Sequence, residues 1–123
     1  MTPADVVQGM IAAIERKDLA AACAFMADDV EYDNVPMAKV FGVEAVTTTL
    51  APFIGGCTRI EWVVNHQAAS GEVVMNERVD RFEMGGRWVE LAVAGLFIVR
   101  DGKIVLWRDY FDLGAFQRAM SGG

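Results

Sequence analysis

The sequence predicts an α+β fold in which helices pack on one face of a curved, antiparallel or mixed sheet. Helical spacing of apolar residues dominates the chain before Gly55-Gly56. Beyond that point the turn signals Ser70-Gly71, Gly85-Gly86 and Asp101-Gly102 separate four runs rich in Val, Ile, Trp and Phe. Hydrophobic residues make up 54% of the 123 residues, above the usual ~45–50%, which predicts a rich core or an apolar cavity in one domain, 1–123.

Two amphipathic helices are predicted at the N-terminus. Residues 3 to 17 place their apolar side chains on one broad stripe, after Thr2 as a candidate N-cap with Asp5 three residues on. A second helix begins after Asp18 and is expected to end near Asp28-Asp29. These helices form the first third of the chain.

A short strand, a third helix and the sheet follow. Residues 30 to 35 alternate like a strand until Pro36 stops them, and Gly42 to Phe53 has the pattern of a helix. After the four strands of the sheet, Leu113 to Met120 predicts a last helical turn. The expected total is therefore three to four helices around one sheet.

Charge and cysteine content exclude several classes of protein. The net charge is -6 and the Lys and Arg residues form no basic run, which disfavours binding to nucleic acid or to an anionic membrane. The apolar stretches are short and the N-terminus lacks the pattern of a signal peptide, so a cytoplasmic protein is expected. Cys23 and Cys57 lack C-x-x-C spacing and neighbouring His residues, and both are predicted to be buried thiols without metal or disulfide.

The second strand of the sheet carries polar residues where a core face should be. Even positions from 74 to 82 share one face, and both faces of this strand mix apolar with charged residues. The pattern leaves two interpretations open, an exposed ion pair of little energetic value or a buried polar unit. The even face carries Val74, Asn76, Arg78, Asp80 and Phe82.

The last strand favours a buried unit. Asp109 alternates with Trp107 and Phe111 on one face, and an acid in an aromatic row is costly unless it is paired. The planar fork of Arg78 has the geometry to satisfy Asp80 and Asp109 together. The alternative, an Asp109 exposed at a strand end, stays open at this stage.

Three separated motifs resemble the limonene-1,2-epoxide hydrolase family over nearly the whole chain. They are Tyr32-x-Asn34-x-Pro36, then Glu77-Arg78-Val79-Asp80, then the hexapeptide from Trp107 to Asp112. The resemblance implies a cone-shaped barrel of the nuclear-transport-factor-2-like or SnoaL-like type around a deep apolar pocket. It also implies a homodimer that hydrolyses an apolar epoxide without metal or cofactor.

The resemblance further implies a role for each polar residue of the site. Asp109 would be the general base and would hold one water together with Tyr32 and Asn34. Asp80 would be the general acid that protonates the epoxide oxygen, and Arg78 would bridge the two carboxylates. Two close carboxylates in an apolar pocket tend to share one proton, which suits one acid and one base.

The same resemblance assigns the apolar lining of the pocket. Met37 is instead expected to fill the core, and His66 is expected to be an ordinary sheet residue. The lining is predicted to comprise Ile11, Ile14, Phe53, Phe82, Leu91, Val93, Phe111 and Phe116.

Strand parity adds a constraint that does not depend on the resemblance. If the turns on both sides of the third sheet strand have two residues, Asp80 pairs with Leu91 and Asp109 pairs with Ala94. Those partners lie three apart and face opposite sides, so the two acids would be separated. A site that contains both acids needs a one-residue irregularity, expected as a β-bulge near Gly95, and a turn of three residues is the alternative that would have the same effect.

Other functions of the same fold compete with hydrolysis. A ketosteroid-isomerase-like enzyme would need a base and an oxyanion-binding donor pair, and the first helix offers no Tyr. A polyketide-cyclase-like enzyme would act on bulky aromatic rings. A non-catalytic small-molecule-binding or dimerisation module would have little use for a buried charged cluster.

Overall fold

The computed structural model describes residues 1–122, and within them four helices surround one six-stranded sheet. The sheet order is β2-β1-β6-β5-β4-β3, with β1 parallel to β6 and the other neighbours antiparallel, so the sheet is mixed and the predicted α+β class is confirmed. The elements are α1 (Pro3–Glu15), α2 (Leu19–Ala24), β1 (Met26–Asn34), β2 (Val40–Phe41), α3 (Val43–Gly56), β3 (Arg59–Ser70), β4 (Val73–Met84), β5 (Arg87–Arg100), β6 (Lys103–Tyr110) and α4 (Leu113–Met120).

The first helix begins as its sequence predicts. Thr2 caps α1, because its hydroxyl accepts a hydrogen bond from the backbone N–H of Asp5 and the Asp5 carboxylate accepts one from the backbone of Thr2. The helix ends at Glu15 rather than at residue 17, and Lys17 adopts a left-handed conformation with φ of 62°. This turn directs the chain into α2.

The predicted end of the second helix is wrong. α2 stops at Ala24, and Met26 already belongs to β1. The cause is tertiary, because the backbone N–H of Ile104 donates to the carbonyl of Phe25 and Met26 pairs with Ile104. Pairing with β6 therefore overrides the helical spacing of the local sequence.

The even face of β4 points into the molecule. Side chains 74, 76, 78, 80 and 82 are buried, and the odd positions alternate outward. The β4–β5 ladder runs without interruption from Met84 opposite Arg87 to Val73 opposite Ile98, so the predicted two-residue turn and the pairing of Asp80 with Leu91 are confirmed.

The irregularity required by parity exists, but its predicted position is wrong. Asp109 pairs with Gly95, not with Ala94, because the β5–β6 register shifts next to the hairpin turn and leaves Val105 without a partner. The bulge therefore lies in β6, and Gly95 lies in a regular part of the ladder. Because Leu91 and Gly95 are four residues apart, Asp80 and Asp109 face the same side.

The core lies between the helices and the inner face of the sheet. Cys57 is buried as expected, whereas Cys23 is half-buried and contacts the Thr47 hydroxyl at 3.5 Å, so the prediction of two buried thiols is wrong for Cys23. His66 lies in β3 and bonds Glu77 at 2.8 Å, as an ordinary sheet residue. In residues 1–122, every helix falls short of the length and apolar character needed to cross a membrane.

Candidate active site

Arg78 is the centre of a buried polar cluster on the inner face of the sheet. Its Nε and Nη2 donate to the two oxygens of Asp80 at 2.9 and 3.1 Å, and Nη2 also donates to Oδ2 of Asp109 at 3.0 Å. Nη1 donates to the side-chain oxygen of Asn76 at 3.0 Å. The exposed fractions of Arg78, Asp80 and Asp109 are 1%, 6% and 4%, so the interpretation as an exposed ion pair is wrong.

Gly95 provides the space for this cluster. A Cβ at position 95 would lie 2.5 Å from Nη1 of Arg78, 2.9 Å from the Asn76 amide oxygen and 3.0 Å from Oδ1 of Asp109. Any larger residue would therefore displace the guanidinium or one of its acceptors. Glycine is required here for the close approach of these side chains, whereas the sequence argument expected Gly95 to be the centre of a β-bulge.

Two tryptophans complete the surroundings of the ion cluster. The indole N–H of Trp107 donates to Oδ1 of Asp109 at 3.0 Å, so both oxygens of that acid are engaged. The Arg78 guanidinium lies over the Trp62 ring at 5.3 Å. Sequence analysis did not assign Asn76, Trp62 or Trp107 to the site. The strand pattern offered a signal for Asn76, because it shares the even face of β4 with Arg78 and Asp80. Trp62 could be found only from the β3–β4 register, which places it opposite Asp80.

Tyr32 and Asn34 reach the cluster from β1. In the parallel ladder Tyr32 pairs with Trp107 and Asn34 pairs with Asp109, so both side chains share the inner face with the acid. The Tyr32 ring stacks on Trp107 with centroids 4.3 Å apart, and its hydroxyl donates to the Asn34 side-chain oxygen at 3.5 Å. The structure therefore brings together all five polar residues singled out by the sequence.

The electrostatics of the cluster shift Asp80 toward its protonated form relative to an ordinary Asp side chain. Burial raises the pKa of Asp80 to about 6, although the Arg78 hydrogen bonds and charge oppose the shift, and the charge of Asp109 adds to it. The pKa of Arg78 is raised despite burial, because Asp109 and Asp80 stabilise its charge. Burial, together with the charge of Asp109, also raises the pKa of Tyr32, which keeps this phenol neutral.

An apolar cavity of about 180 Å³ opens beside the cluster, and Asp80 and Asp109 form part of its wall with Tyr32 and Asn34. Its apolar wall includes two edge-to-face pairs, Phe53 with Phe82 at 4.9 Å and Phe111 with Phe116 at 5.7 Å. Six of the eight predicted lining residues line the cavity: Phe53, Phe82, Leu91, Val93, Phe111 and Phe116.

Ile11 and Ile14 do not line the cavity. Both are buried in the core under α1, because the helical stripe that carries them packs directly on other apolar side chains. Met37 does line the cavity and is 46% exposed, so its predicted core-filling role is wrong. Thr49 and Leu50 of α3 also line the cavity, although no sequence signal distinguished them from core residues.

The arrangement suits proton transfer to and from a small polar group of an otherwise apolar molecule. One acid with a raised pKa and a second acid with two hydrogen bonds lie on one cation, at the edge of an apolar cavity. Within residues 1–122, no group of three or more His, Cys, Asp or Glu side chains is arranged to hold a metal ion.

Comparisons with known proteins point to one family. The family model for the limonene-1,2-epoxide hydrolase catalytic domain matches residues 1–121. The chain is 35% identical over 107 residues to epoxide hydrolase EphG of Mycobacterium tuberculosis, covering 87% of this chain and 71% of that relative.

Solved structures share the fold. An epoxide hydrolase of Mycobacterium tuberculosis, described as similar to limonene-1,2-epoxide hydrolase, superposes with a TM-score of 0.82 at 30% identity over 96% of this chain and 91% of that one. A Xanthomonas campestris protein classed as a candidate polyketide cyclase gives a TM-score of 0.85 at 24% identity, with 95% of each chain covered, and shows the fold alone. Other matched structures are named nuclear-transport-factor-2-like proteins, which confirms the predicted type of fold.

Proposed function

The chain belongs to the limonene-1,2-epoxide hydrolase family and is an epoxide hydrolase, and we propose that it adds water to an apolar epoxide in one step at the Arg78 cluster to give a vicinal diol. The observation that carries this proposal is the bridge from Arg78 to both Asp80 and Asp109 at the edge of an apolar cavity. Ring opening needs a nucleophile on carbon and a proton for the oxygen that leaves it, and two acids in different protonation states supply both.

The proposed roles follow from the surroundings of each acid. Asp109 is the general base, and together with Tyr32 and Asn34 it holds the attacking water. Asp80 is the general acid, since its raised pKa of about 6 leaves it partly protonated near neutral pH. Arg78 bridges the acids and limits the cost of burying their negative charge.

The proton balance closes within the cluster. Water loses a proton to Asp109 as its oxygen bonds to the epoxide carbon, the carbon–oxygen bond breaks, and Asp80 gives its proton to the epoxide oxygen. Asp109 then holds a proton that Asp80 has lost, and transfer along the Arg78 bridge restores the starting state. No covalent bond to the protein forms in this scheme.

A panel of terpene, aromatic and lipid epoxides tests the reaction, with diol as the product measured. We expect Asp80→Asn and Asp109→Asn each to lower turnover by at least about a hundredfold while the protein stays folded. The matched control is Asp29→Asn at an exposed position of β1, which should keep wild-type turnover. Near-wild-type turnover by either active-site variant would contradict the assigned roles.

Labelled water distinguishes one-step hydrolysis from attack by a carboxylate. In a single turnover in H₂¹⁸O, the diol should contain the label and the protein should contain none. Mass-spectrometric detection of ¹⁸O in Asp80 or Asp109 would reject the one-step mechanism. Turnover of ring-forming polyketide substrates without any epoxide hydrolysis would favour the alternative activity known for this fold.

The active protein is proposed to be a homodimer of one catalytic domain, residues 1–123. Support comes from apolar side chains that project from the outer face of the sheet, away from the cavity. We call this set the outer apolar patch; it comprises Val73, Met75, Leu96, Ile98 and Leu106, which neighbour one another across β4, β5 and β6. The cytoplasmic location expected from the sequence stays a prediction.

A further inference from the structure

The outer face of the sheet carries a second arginine between two carboxylates, directly behind the active site. Nε of Arg108 donates to Oδ2 of Asp33 at 2.9 Å, and Nη2 donates to Glu31 at 3.1 Å. Lys39 approaches Glu31 at 3.5 Å. The Asp33 side chain is 2% exposed, which is unusual for an acid outside the inner cluster.

This ion pair lies between the two backbone pairs that build the water-binding part of the site. Asp33 is opposite Arg108 in the β1–β6 ladder, and the flanking pairs are Tyr32 with Trp107 and Asn34 with Asp109. Because side chains alternate along a strand, the flanking residues point inward while Asp33 and Arg108 point outward. The outer ion pair therefore joins β1 and β6 at the same position along the strands as the inner site.

The β1–β6 junction is a short ladder, held besides this ion pair by the Tyr32–Trp107 stack and by a hydrogen bond from the backbone N–H of Val35 to the carbonyl of Asp109. After Met26 pairs with Ile104 the register shifts, and the ladder resumes for only four consecutive pairs, from Glu31 to Asn34. The other side of β1 contacts the two-residue strand β2. Parallel pairing is slightly less stable per residue than antiparallel pairing. A sliding or parting of β1 would move Tyr32 and Asn34 away from Asp109.

Stability alone does not account for the buried acid. Within residues 1–122, Oδ1 of Asp33 is buried without a hydrogen-bond partner. Burial and the neighbouring Glu31 raise the pKa of Asp33, while Arg108 opposes that shift. This ion pair joins the 26% exposed Arg108 to a buried acid and contributes little net stability, but the two side chains cannot separate without leaving the buried charge of Asp33 unpaired.

We propose that Arg108 and Asp33 are positioning residues that hold Tyr32 and Asn34 opposite Asp109, an inference that rests on the proposed function. They lie on the opposite face of the sheet from the cavity and act through the register of β1 on β6. Their loss should therefore affect the chemical step more than substrate binding, because most of the apolar lining lies on α3, β3, β4, β5 and the residues after β6, and only Tyr32 and Met37 belong to β1 or follow it.

The central test compares two outer-face arginines. Arg108→Met should lower kcat by about tenfold to a hundredfold, the range expected when a reacting group moves by up to an ångström, with KM within about twofold of wild type. The matched control is Arg81→Met. Arg81 also joins two carboxylates, Glu61 and Glu90, and its side chain is 30% exposed against 26% for Arg108.

Arg81 differs from Arg108 in what it holds. It lies on β4, which pairs with β5 from Val73 to Met84 and with β3 from Val73 to Glu83, so its loss should leave Asp80 in place. We expect kcat of Arg81→Met to stay within about twofold of wild type even if both variants lose similar thermal stability. Equal losses of kcat in the two variants, or an unchanged kcat in Arg108→Met, would overturn the proposal.

Conservative variants keep the test decisive if Arg108→Met does not fold. Arg108→Lys retains a charge that reaches one carboxylate, and Asp33→Asn keeps an acceptor for Nε, so both should fold with kcat between the wild-type and methionine values. Wild-type kcat in both would reject the positioning role. Asp109→Asn separates this outcome from failure of the proposed function. An active Asp109→Asn protein would reject the proposed function itself. An inactive Asp109→Asn protein together with normal Arg108 variants would reject only the positioning role.

Discussion

Arg78 is the residue on which we expect both the folding of the site and its proposed chemistry to depend. It is buried among two acids, an amide and an indole ring, and each of its three guanidinium nitrogens has an acceptor. An arginine suits this position because its planar fork bonds Asp80 with two nitrogens and still reaches Asp109.

Replacing Arg78 should separate stability from activity. Arg78→Ala leaves two buried carboxylates without their cation and should lower the free energy of unfolding by about 3–5 kcal/mol, more than Asp80→Asn or Asp109→Asn. Arg78→Lys should fold but lose most turnover, because a single ammonium cannot bridge both acids. Urea unfolding and diol formation measure the two effects. An Arg78→Ala protein as stable as Asp80→Asn would contradict this ranking.

The pH dependence of turnover should report the proton of Asp80. Its pKa is raised to about 6, and the proposed acid must be protonated, so kcat should fall as pH rises through about 6. Because the two acids are coupled, the measured value belongs to the pair. A rate profile that is flat from pH 5 to 8 with chemistry rate-limiting would reject Asp80 as the acid.

The free energy of unfolding should also depend on the protonation of Asp80, and it should fall as pH rises. The pKa of Asp80 in the native state lies above the usual value of about 3.8 for an exposed Asp, so the native state binds this proton more tightly than the unfolded state. The resulting stabilisation is complete below about pH 4 and is lost as pH rises through about 6. Asp80→Asn should remove this slope from the unfolding free energy measured across that range.

At the scale of elements, the β4–β5–β6 sheet decides which side chains meet. The regular β4–β5 ladder and the single bulge at Val105 place Asp80 and Asp109 on one face, opposite Leu91 and Gly95 of the central strand. In a regular strand Ile104 and Trp107 would face opposite sides, because they are three residues apart. The bulge between them lets β6 bury both side chains.

Gly95 allows a direct test of the space inside this sheet. Gly95→Ala should lower turnover by at least about tenfold and destabilise the protein by roughly 1–3 kcal/mol, because the new methyl group displaces Arg78 or its acceptors. Gly55→Ala is the control, since a Cβ there meets nothing within 4 Å in the last turn of α3 and should stabilise by about 0.5–1 kcal/mol. Wild-type turnover in Gly95→Ala would mean that the cluster tolerates a shift of its guanidinium.

At the scale of the whole molecule, the inner face of the sheet carries the core and the candidate active site, and the outer face carries the outer apolar patch. A homodimer through that patch predicts that Met75→Glu yields a monomer, because a charge replaces a 53% exposed apolar side chain on β4. Phe41→Glu, at a 64% exposed position on β2 outside the patch, should remain dimeric. Sedimentation of both variants measures this, and a dimeric Met75→Glu would exclude the patch as the interface.

The sequence by itself determined the fold class, the four long strands, the N-cap of α1, the last helix and the five polar residues that meet at the site. These features depend on local signals, such as turn dipeptides, alternation and capping residues, or on motifs that resemble a known family. The two-residue β4–β5 turn and the need for one irregularity also followed from counting residues.

The tertiary structure alone decided where that irregularity lies, where α2 ends and which residues support the cluster. Val105 bulges because β6 must bury residues of both parities, and Met26 leaves the helix because β6 offers its backbone a partner. Trp62 and Gly95 enter the site through strand register, which joins residues far apart in the chain. Local sequence does not encode such contacts, because their free energy comes from surfaces that exist only after the strands have paired.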